Sequence, residues 1–191
     1  MKRIAVFIGS TNGHDEGYAD LAHAVGGELA RSGLGVVYGG GRSGLMGALA
    51  DGVLAAGGEI IGVIPQSMVE REWARDDITE LHVCESMHER KALMADKADA
   101  FLALPGGLGT LEEIFEVWSW RRLGFHDKPV GFLDAGGYWT PLVEALRGIV
   151  DAGFLSPAAL EDVVVDADLN AVLKGLAERA TGSGERLRPG T

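Results

Sequence analysis

Three glycine-rich segments of the chain have the composition of loops that bind phosphate. They are Gly9-Ser10-Thr11-Asn12-Gly13, Gly39-Gly40-Gly41-Arg42-Ser43-Gly44 and Pro105-Gly106-Gly107-Leu108-Gly109-Thr110. Glycine lets a ligand approach the backbone, so that successive N–H groups point at a phosphate while the dipole of a following helix favours its negative charge. Tight turns between strands and helices are the alternative explanation for each loop. Because both long loops have this composition, we expect them to hold a monophosphate.

The two long loops do not fit the common motifs for nucleotide triphosphates or dinucleotides. Segments 39–44 and 105–110 have no lysine followed by Ser or Thr, as a P-loop requires. They also lack the G-x-G-x-x-G spacing with an acidic residue at the proper distance beyond it. ATP hydrolysis and NAD-linked hydride transfer are therefore disfavoured.

Glu113 and Arg90 are the ionisable residues to which we assign chemistry. Glu113 ends the segment Thr110-Leu111-Glu112-Glu113, which also has the form of a capping box, with the threonine as N-cap and Glu113 bonded back to its N–H. Arg90 and Lys91 follow Ser86-Met87-His88-Glu89, and an exposed helix face with i,i+4 ion pairs explains them equally well. Both structural explanations stay open at this point.

Alternating strands and helices would position these residues. Apolar, β-rich runs predict strands at Arg3–Gly9, Leu34–Tyr38, Glu59–Ile64, Leu81–Cys84, Ala100–Leu104, Pro129–Leu133 and Val163–Val165. Helical patterns predict helices at Glu16–Arg31, Leu45–Ala56, Met87–Lys97, Leu111–Leu123, Tyr138–Asp151 and Leu169–Ala180. The segment from Gln66 to Asp77 is predicted to be a loop, with a turn of helix at Met68 to Trp73 as the alternative. This order is typical of an α/β fold, a Rossmann-like doubly wound parallel sheet with helices on both faces.

The chain is predicted to form one domain. Residues 1–180 contain no linker or repeat and should form a single nucleotide-binding α/β domain, whereas the glycine-rich, polar and basic segment 181–191 is predicted to be a flexible tail. Ligands of doubly wound sheets bind beyond the carboxyl ends of the strands. Because each glycine loop follows a predicted strand, the three loops should line one cleft.

Composition and charge exclude several classes of partner. The formal net charge of −11 over 191 residues repels polymeric nucleic acid and anionic membranes. No apolar stretch approaches the ~20 residues of a transmembrane helix. The chain has a single cysteine, Cys84, so it cannot form an intrachain disulfide and the reducing cytoplasm is the expected compartment. We expect Cys84 to be a small residue of a strand. The five histidines have no convincing ligand spacing, so we expect no metal.

Together these segments resemble the LONELY GUY family, the cytokinin riboside 5′-monophosphate phosphoribohydrolases, once widely labelled lysine decarboxylases. The resemblance covers roughly Val6 to Gly153. Its most specific part is segment 105–113, which fits the family motif P-G-G-x-G-T-x-x-E at every fixed position. Supporting matches are segments 38–41, 44–47, 87–91 and 126–131.

The resemblance implies a homodimer that cleaves nucleoside 5′-monophosphates, such as AMP or cytokinin riboside monophosphates, into free base and ribose 5-phosphate. Hydrolysis of a glycosidic bond needs no redox cofactor, so we expect none. It implies catalytic roles for Arg90 and Glu113. It implies substrate binding by Gly40, Gly41, Glu72, Met87, Arg90, Lys91, Gly106, Gly107, Leu108, Gly109, Thr110, Leu111, Glu112 and Ser119.

The chain departs from the family pattern at Ile8, where many members have cysteine, and at Arg122, where they have glutamine. The second departure adds positive charge and leaves the base preference open. The base pocket is expected to draw on side chains of the segment from Gln66 to Asp77 and of a neighbouring subunit.

Two other functions stay open beside the hydrolase. A carrier of related fold would have the same phosphate cradle without turnover, since fold alone does not establish function. Amino-acid decarboxylation would need a lysine that forms a Schiff base with pyridoxal phosphate, and nothing around Lys91, Lys97, Lys128 or Lys174 suggests that arrangement. The aromatic residues Trp118, Trp120 and Phe125 would suit a dimer interface or a core equally well.

Overall fold

The computed structural model describes residues 1–71 and 73–182, and these residues form a seven-stranded parallel sheet covered by helices. The strands are β1 Arg3–Phe7, β2 Gly35–Tyr38, β3 Ile60–Pro65, β4 Glu80–Cys84, β5 Ala100–Ala103, β6 Val130–Leu133 and β7 Val164–Asp166. The helices are α1 Gly17–Arg31, α2 Gly44–Ala55, α3 Gln66–Val69, α4 Met87–Lys97, α5 Leu108–Arg122, α6 Thr140–Asp151, α7 Pro157–Glu161 and α8 Leu169–Gly182. A short 3₁₀ turn, Ala135–Gly137, precedes α6.

The strand order is β4-β3-β2-β1-β5-β6-β7, so the chain reverses direction across the sheet at β1. From β1 it runs outward to β4, then crosses back to place β5 on the other side of β1. Ile4 of β1 pairs with Val36 on one side and Ala100 on the other. This order confirms the predicted doubly wound parallel sheet, and it puts the topological switch point between β1 and β5.

Side chains alternate between the two faces of the sheet. Ile4 and Val6 of β1 pack in one apolar cluster with residues of α1, α2 and α8. Ala5 and Phe7 pack in a second cluster with residues of α4, α5 and α6. Because side chains of a strand alternate with a period of two, one apolar strand supplies both cores, which explains its continuous hydrophobic sequence.

The structure differs from the predicted helices in three places. Helix α5 begins at Leu108, three residues before the predicted start at Leu111. A short helix, α3, lies inside the segment predicted to be a loop, and α7 was not predicted. Helix α7 begins where the Ser156 hydroxyl accepts a 3.3 Å hydrogen bond from the Ala159 N–H. One N-cap serine before a helix of only five residues is a weak sequence signal, which explains why α7 was not predicted.

Three further predictions concern Cys84, the C-terminal segment and the absence of a membrane span. Cys84 lies in a strand, as predicted, at the end of β4. It is also buried, and burial raises the pKa of its thiol. Helix α8 continues through Gly182, two residues into the segment predicted to be a tail, and residues 183–191 lie outside the described part, as does Glu72. Across residues 1–71 and 73–182, no helix has the length and apolar character of a membrane span.

Candidate active site

A cavity of about 730 Å³ opens at the carboxyl ends of the central strands, beside the switch point. All three glycine loops contribute to its lining, with residues from segments 9–13, 39–43 and 105–110. The Gly9 N–H donates a 3.1 Å hydrogen bond to the Pro105 carbonyl, so the loops after β1 and β5 are directly joined. The structure thus brings the predicted loops together in one cleft.

Two glycines permit close approaches that any side chain would prevent. A Cβ on Gly39 would lie 2.1 Å from Nη2 of Arg90, and a Cβ on Gly106 would lie 2.1 Å from Oγ1 of Thr110. Neither glycine has a positive φ angle. Turn geometry therefore does not explain them, and their role is to admit Arg90 and Thr110 to the floor of the cavity.

Arg90 and Glu113 form a buried ion pair that faces this cavity. Nη1 of Arg90 lies 2.8 Å from Oε1 of Glu113, and Nε of Arg90 donates a 3.0 Å hydrogen bond to the Val63 carbonyl. The residues are only 5% and 6% exposed, and both line the cavity. The carbonyl of β3 and the carboxylate of α5 together fix the orientation of the guanidinium.

Burial dominates the electrostatics of Glu113. It raises the pKa of the carboxyl group, the Arg90 guanidinium opposes this effect, and the nearby Glu112 carboxylate adds to it. The net result is a pKa above the ordinary glutamate value. A carboxylate that ionises at higher pH is a stronger base, which suits a group that accepts a proton during a reaction.

Both purely structural explanations for these two residues are wrong. The N-cap of α5 is Gly107, not Thr110, and its cap position makes no side-chain hydrogen bond. Because Thr110 is already the third residue of the helix, Glu113 cannot complete a capping box and instead reaches Arg90. Arg90 is buried rather than part of a solvated helix face.

The first turn of α5 has the features of an anion-binding site. Leu111 N donates to the Gly107 carbonyl at 3.1 Å, so the preceding N–H groups of residues 108–110 have no intrahelical acceptor. The hydroxyl of Thr110 is buried and has no hydrogen-bond partner among the described residues. The first turn contains no acidic side chain. A phosphate at this position would meet several N–H groups, a hydroxyl and the positive end of the helix dipole.

Lys91 pairs with two carboxylates of α5. Its Nζ contacts the carboxylate of Glu112 and lies 3.0 Å from Oε2 of Glu116. Burial alone would lower the pKa of Lys91, but the two carboxylates outweigh it and the pKa is raised. Glu112 lines the cavity and Lys91 does not. Lys91 therefore does not face the cavity but contacts one of its lining residues, Glu112.

The structure brings together most of the residues predicted for the site. The cavity lining includes Gly41, Met87, Arg90, Gly106, Gly107, Leu108, Gly109, Thr110, Glu112 and Glu113. Gly40, Lys91, Leu111 and Ser119 are outside this lining. Leu111 packs against the core under α5, and Ser119 lies on the exposed side of that helix. At 1.5 Å per residue, Ser119 is about 14 Å along the helix from Thr110.

Several lining residues were not in the predicted set. They include Ser10, Thr11, Asn12, Tyr18, Ser43, Met46, Met68, Trp73 and Tyr138. The hydroxyl of Tyr138 donates a 2.8 Å hydrogen bond to the Gly106 carbonyl, and its ring packs edge-on against Tyr18 at 5.6 Å. The polar residues of segment 10–12 lie in a loop that the glycines already marked. The aromatic residues come from distant segments, and no local motif points to them.

None of the lysines among the described residues lines the cavity. Lys128 donates from Nζ to the Ala95 carbonyl at 2.6 Å, Lys97 lies 4.0 Å from Glu80, and Lys174 is on the exposed side of α8. Within residues 1–71 and 73–182, no three His, Cys, Asp or Glu side chains come together as metal ligands.

Fold and site define the class: a Rossmann-like α/β protein with a glycine-lined cavity at the switch point and a buried Arg–Glu pair on its floor. A family model described as "Possible lysine decarboxylase" matches residues 46–176. The cytokinin riboside 5′-monophosphate phosphoribohydrolase LOG3 of Arabidopsis thaliana is 44% identical over 94% of this chain and 84% of its own length. The phosphoribohydrolase of the same name from Rhodococcoides fascians is 45% identical over 92% and 89%. The chain belongs to the LONELY GUY family.

Solved structures with the same fold carry a different description. The molybdenum cofactor carrier protein of Chlamydomonas reinhardtii matches with a TM-score of 0.70 and 22% identity, over 94% of this chain and 98% of that one. The molybdenum cofactor binding protein of Rippkaea orientalis matches with a TM-score of 0.69 and 18% identity, over 93% and 96%. At these identities the likeness establishes the fold and nothing about the ligand.

Proposed function

We propose that this protein hydrolyses the N-glycosidic bond of nucleoside 5′-monophosphates, releasing free base and ribose 5-phosphate. The observation that carries the proposal is the buried pair of Arg90 and Glu113 on the floor of a cavity that also contains the first turn of α5. The pair supplies an acidic group, and the helix start supplies a phosphate anchor beside it. Cytokinin riboside monophosphates and AMP are the candidate substrates, by analogy with the named relatives.

The 5′-phosphate binds at the first turn of α5 in this proposal. The N–H groups of residues 108–110 and the hydroxyl of Thr110 donate to its oxygens, and the predicted binding residues that line the cavity border the nucleotide. Binding energy from this remote group orients the sugar over Glu113 and so contributes to the rate at the anomeric carbon. Nucleosides that lack the phosphate should therefore be poor substrates.

Cleavage of the glycosidic bond develops positive charge on the ribose, as in glycoside hydrolysis. The carboxylate of Glu113 stabilises this charge from beneath the sugar. The electron pair of the broken bond goes to the base nitrogen, which takes up a proton, and the oxygen of a water molecule bonds to the anomeric carbon. Glu113 either accepts a proton from that water or first attacks the anomeric carbon itself.

Arg90 has two tasks in this scheme. It orients the Glu113 carboxylate through the 2.8 Å hydrogen bond, and its charge lowers the pKa of this buried acid and so favours the ionised form. Its remaining guanidinium N–H groups can donate to the ribose phosphate, since an arginine carries five donors in a planar fork.

The carrier hypothesis remains the main alternative, and the site argues against it. A carrier needs the phosphate cradle, but it has no use for a buried carboxylate with a raised pKa beneath the ligand. Decarboxylation through pyridoxal phosphate needs a lysine at the ligand. No lysine of the described residues lines the cavity, which disfavours that reaction despite the description attached to the family model.

One incubation separates the three functions. The purified protein is mixed with AMP and with N6-isopentenyladenosine 5′-monophosphate, and free base and ribose 5-phosphate are measured by chromatography. Release of both products supports the hydrolase, and binding without release supports the carrier. Carbon dioxide formed from lysine would instead support the decarboxylase.

We also propose a cytoplasmic homodimer in which residues 1–180 act as one domain. One continuous sheet runs through this range, and the absence of disulfide chemistry suits a reducing compartment. Of the aromatic residues considered for an interface, Trp118 is buried in the core, whereas Phe125 is exposed beside the exposed Leu123 at the end of α5. Light scattering after size-exclusion chromatography tests the dimer.

A further inference from the structure

Trp73 lines the cavity from a segment that is tied to the second glycine loop by its backbone. The Trp73 carbonyl accepts a 3.0 Å hydrogen bond from Arg42 N, and the Trp73 N–H donates to the Met68 carbonyl at 3.2 Å. Two residues further on, Arg75 N donates to the Gly40 carbonyl at 3.0 Å. The indole is therefore attached to the loop after β2, on the side of the cavity away from β5.

The side chain of Arg75 fixes the same segment against α2. It forms ion pairs with Asp51 at 2.7 Å and Asp77 at 2.6 Å, and it donates to the Gly47 carbonyl at 3.1 Å. Its side chain is mostly buried. Because both the backbone and a charged side chain hold the segment, the position of Trp73 is set before any ligand binds.

The indole of Trp73 is nevertheless half exposed. Its exposure is 48%, whereas Trp118 and Trp139 are buried and Trp120 packs partly buried against the core. The guanidinium of Arg71 lies 5.2 Å from the centre of the indole, a cation–π distance that covers one face. The exposed part of this fixed indole faces the cavity, so an aromatic ligand can stack on it.

We propose that Trp73 is the platform on which the base of the nucleotide stacks. The inference rests on the proposed function only in taking the ligand to be a nucleoside monophosphate. With the phosphate at the first turn of α5, on the β5 side, the base extends across the cavity towards the loop after β2, where the indole lies. The exposed side chain of Met87 also lines the cavity and supplies an apolar contact to the base.

Stacking of this kind acts on binding more than on chemistry. Base–aromatic stacking is worth roughly 1–3 kcal/mol per base, which corresponds to about 5- to 150-fold in affinity. The platform contacts the base in both the ground state and the transition state, so its loss raises KM and leaves kcat little changed. Ribose 5-phosphate has no base, so its affinity does not depend on the indole.

The first experiment compares Trp73→Ala and Trp73→Phe with the unsubstituted protein, with thermal unfolding as a check on folding. We expect the alanine variant to raise KM for AMP about 5- to 150-fold, and the phenylalanine variant to recover most of that loss. Inhibition by ribose 5-phosphate should be the same in all three proteins. Phe154→Ala, which removes an exposed aromatic side chain outside the cavity lining, should change neither quantity. An unchanged KM, or an equal loss of ribose 5-phosphate affinity, would overturn the assignment.

A second experiment works even if the protein hydrolyses no nucleotide. AMP is titrated while tryptophan fluorescence is recorded, and stacking should quench the exposed indole. Loss of this quenching in Trp73→Phe supports the platform, whether or not base is released. Quenching that persists unchanged in that variant would assign the signal to another tryptophan and sink the inference, while absence of turnover alone would count only against the proposed reaction.

Discussion

Arg90 of α4 and Glu113 of α5 meet at 2.8 Å across the floor of the cavity, and each is almost fully shielded from water. The residues lie 23 positions apart in the chain, so the pair exists only when both helices have packed against the sheet. Each charge compensates the other in a region of low dielectric. Because the pair forms only in the folded site, measurements of stability, of kinetics and of pH dependence each test it.

The first prediction concerns the carboxylate. Glu113→Gln keeps the size of the side chain but removes the charge that stabilises the ribose cation and accepts a proton. We expect kcat to fall by roughly 10² to 10⁴ while AMP still binds, as is usual for the loss of a positioned acid or base. Turnover and AMP binding by calorimetry are measured on the same preparation. Near-normal turnover would remove Glu113 from the mechanism.

The second prediction concerns stability. Arg90→Met leaves the Glu113 carboxylate buried without its partner, which should lower the free energy of unfolding by about 3–5 kcal/mol. Adding Glu113→Gln should recover much of this loss because the orphan charge is gone. Urea unfolding of the two single variants and the double variant measures the coupling.

A control for the stability measurement comes from the surface of α8. Lys174 and Glu178 lie 4.0 Å apart with both side chains largely exposed. Lys174→Met should cost no more than about 1 kcal/mol, as is typical of exposed pairs. If Lys174→Met and Arg90→Met lowered the free energy of unfolding equally, burial would not make the Arg90 pair more important for stability than an exposed pair.

Local sequence patterns were sufficient to predict the sheet and most helices. Each observed strand coincides with a predicted apolar run to within two residues, and α4 has the predicted bounds Met87–Lys97. The start of α5 was predicted too late, because Gly107 and Gly109 have low helix propensity and Thr110 resembles an N-cap. The helix begins earlier because packing against the sheet outweighs local propensity.

The cavity was only partly predictable for the same reason. The motif of segment 105–113 marks one wall, and the glycine loops mark the others. Trp73 and Tyr138 reach the cavity through hydrogen bonds with the Arg42 N–H and the Gly106 carbonyl, which join segments far apart in the chain. Such contacts arise from the tertiary structure, so a single sequence contains no local signal for them.

The third prediction concerns pH. The mechanism needs an ionised Glu113, so activity should fall as the pH drops through its pKa, which burial places above the usual glutamate value of about 4.3. Glu112 raises that pKa and Arg90 lowers it. Glu112→Gln should therefore move the acidic limb of kcat/KM to lower pH, and Arg90→Met should move it to higher pH.

The measurement is a set of pH–rate profiles for AMP with the three proteins. The second ionisation of the substrate phosphate contributes equally to every profile, so the differences between variants report on the enzyme. Shifts in the same direction for both variants, or no shift for either, would contradict the assignment of the limb to Glu113.

The fourth prediction concerns the loop after β5. Tyr138→Phe removes the 2.8 Å hydrogen bond to the Gly106 carbonyl but keeps the ring that packs against Tyr18. A neutral hydrogen bond contributes about 0.5–1.5 kcal/mol, so we expect weaker holding of the phosphate loop and a KM for AMP raised by roughly 2- to 10-fold. Inhibition by ribose 5-phosphate should weaken by the same factor, because the effect acts through the phosphate. A change confined to AMP would point to the base instead.

The last prediction tests whether the space beside Gly39 is needed for the ion pair. The φ angle of Gly39 suits any residue, so Gly39→Ala adds a methyl group without straining the backbone. That methyl would lie 2.1 Å from Nη2 of Arg90, closer than nonbonded atoms approach. The guanidinium must then shift, although its Nε and Nη1 are hydrogen-bonded to the Val63 carbonyl and to Glu113. A displacement of about 1 Å in a catalytic group costs on the order of 10² in rate, so kcat should fall by about that factor.

The matched control for Gly39→Ala is Gly148→Ala on α6, where a Cβ meets no atom within 4 Å. This variant replaces glycine by a better helix former far from the cavity lining, so it should leave kcat unchanged and stabilise the fold slightly. A crystal structure of Gly39→Ala should show the distance between Arg90 and Glu113 increased. Full activity together with an unmoved guanidinium would mean that the loop after β2 yields instead, and that the close contact does not position Arg90.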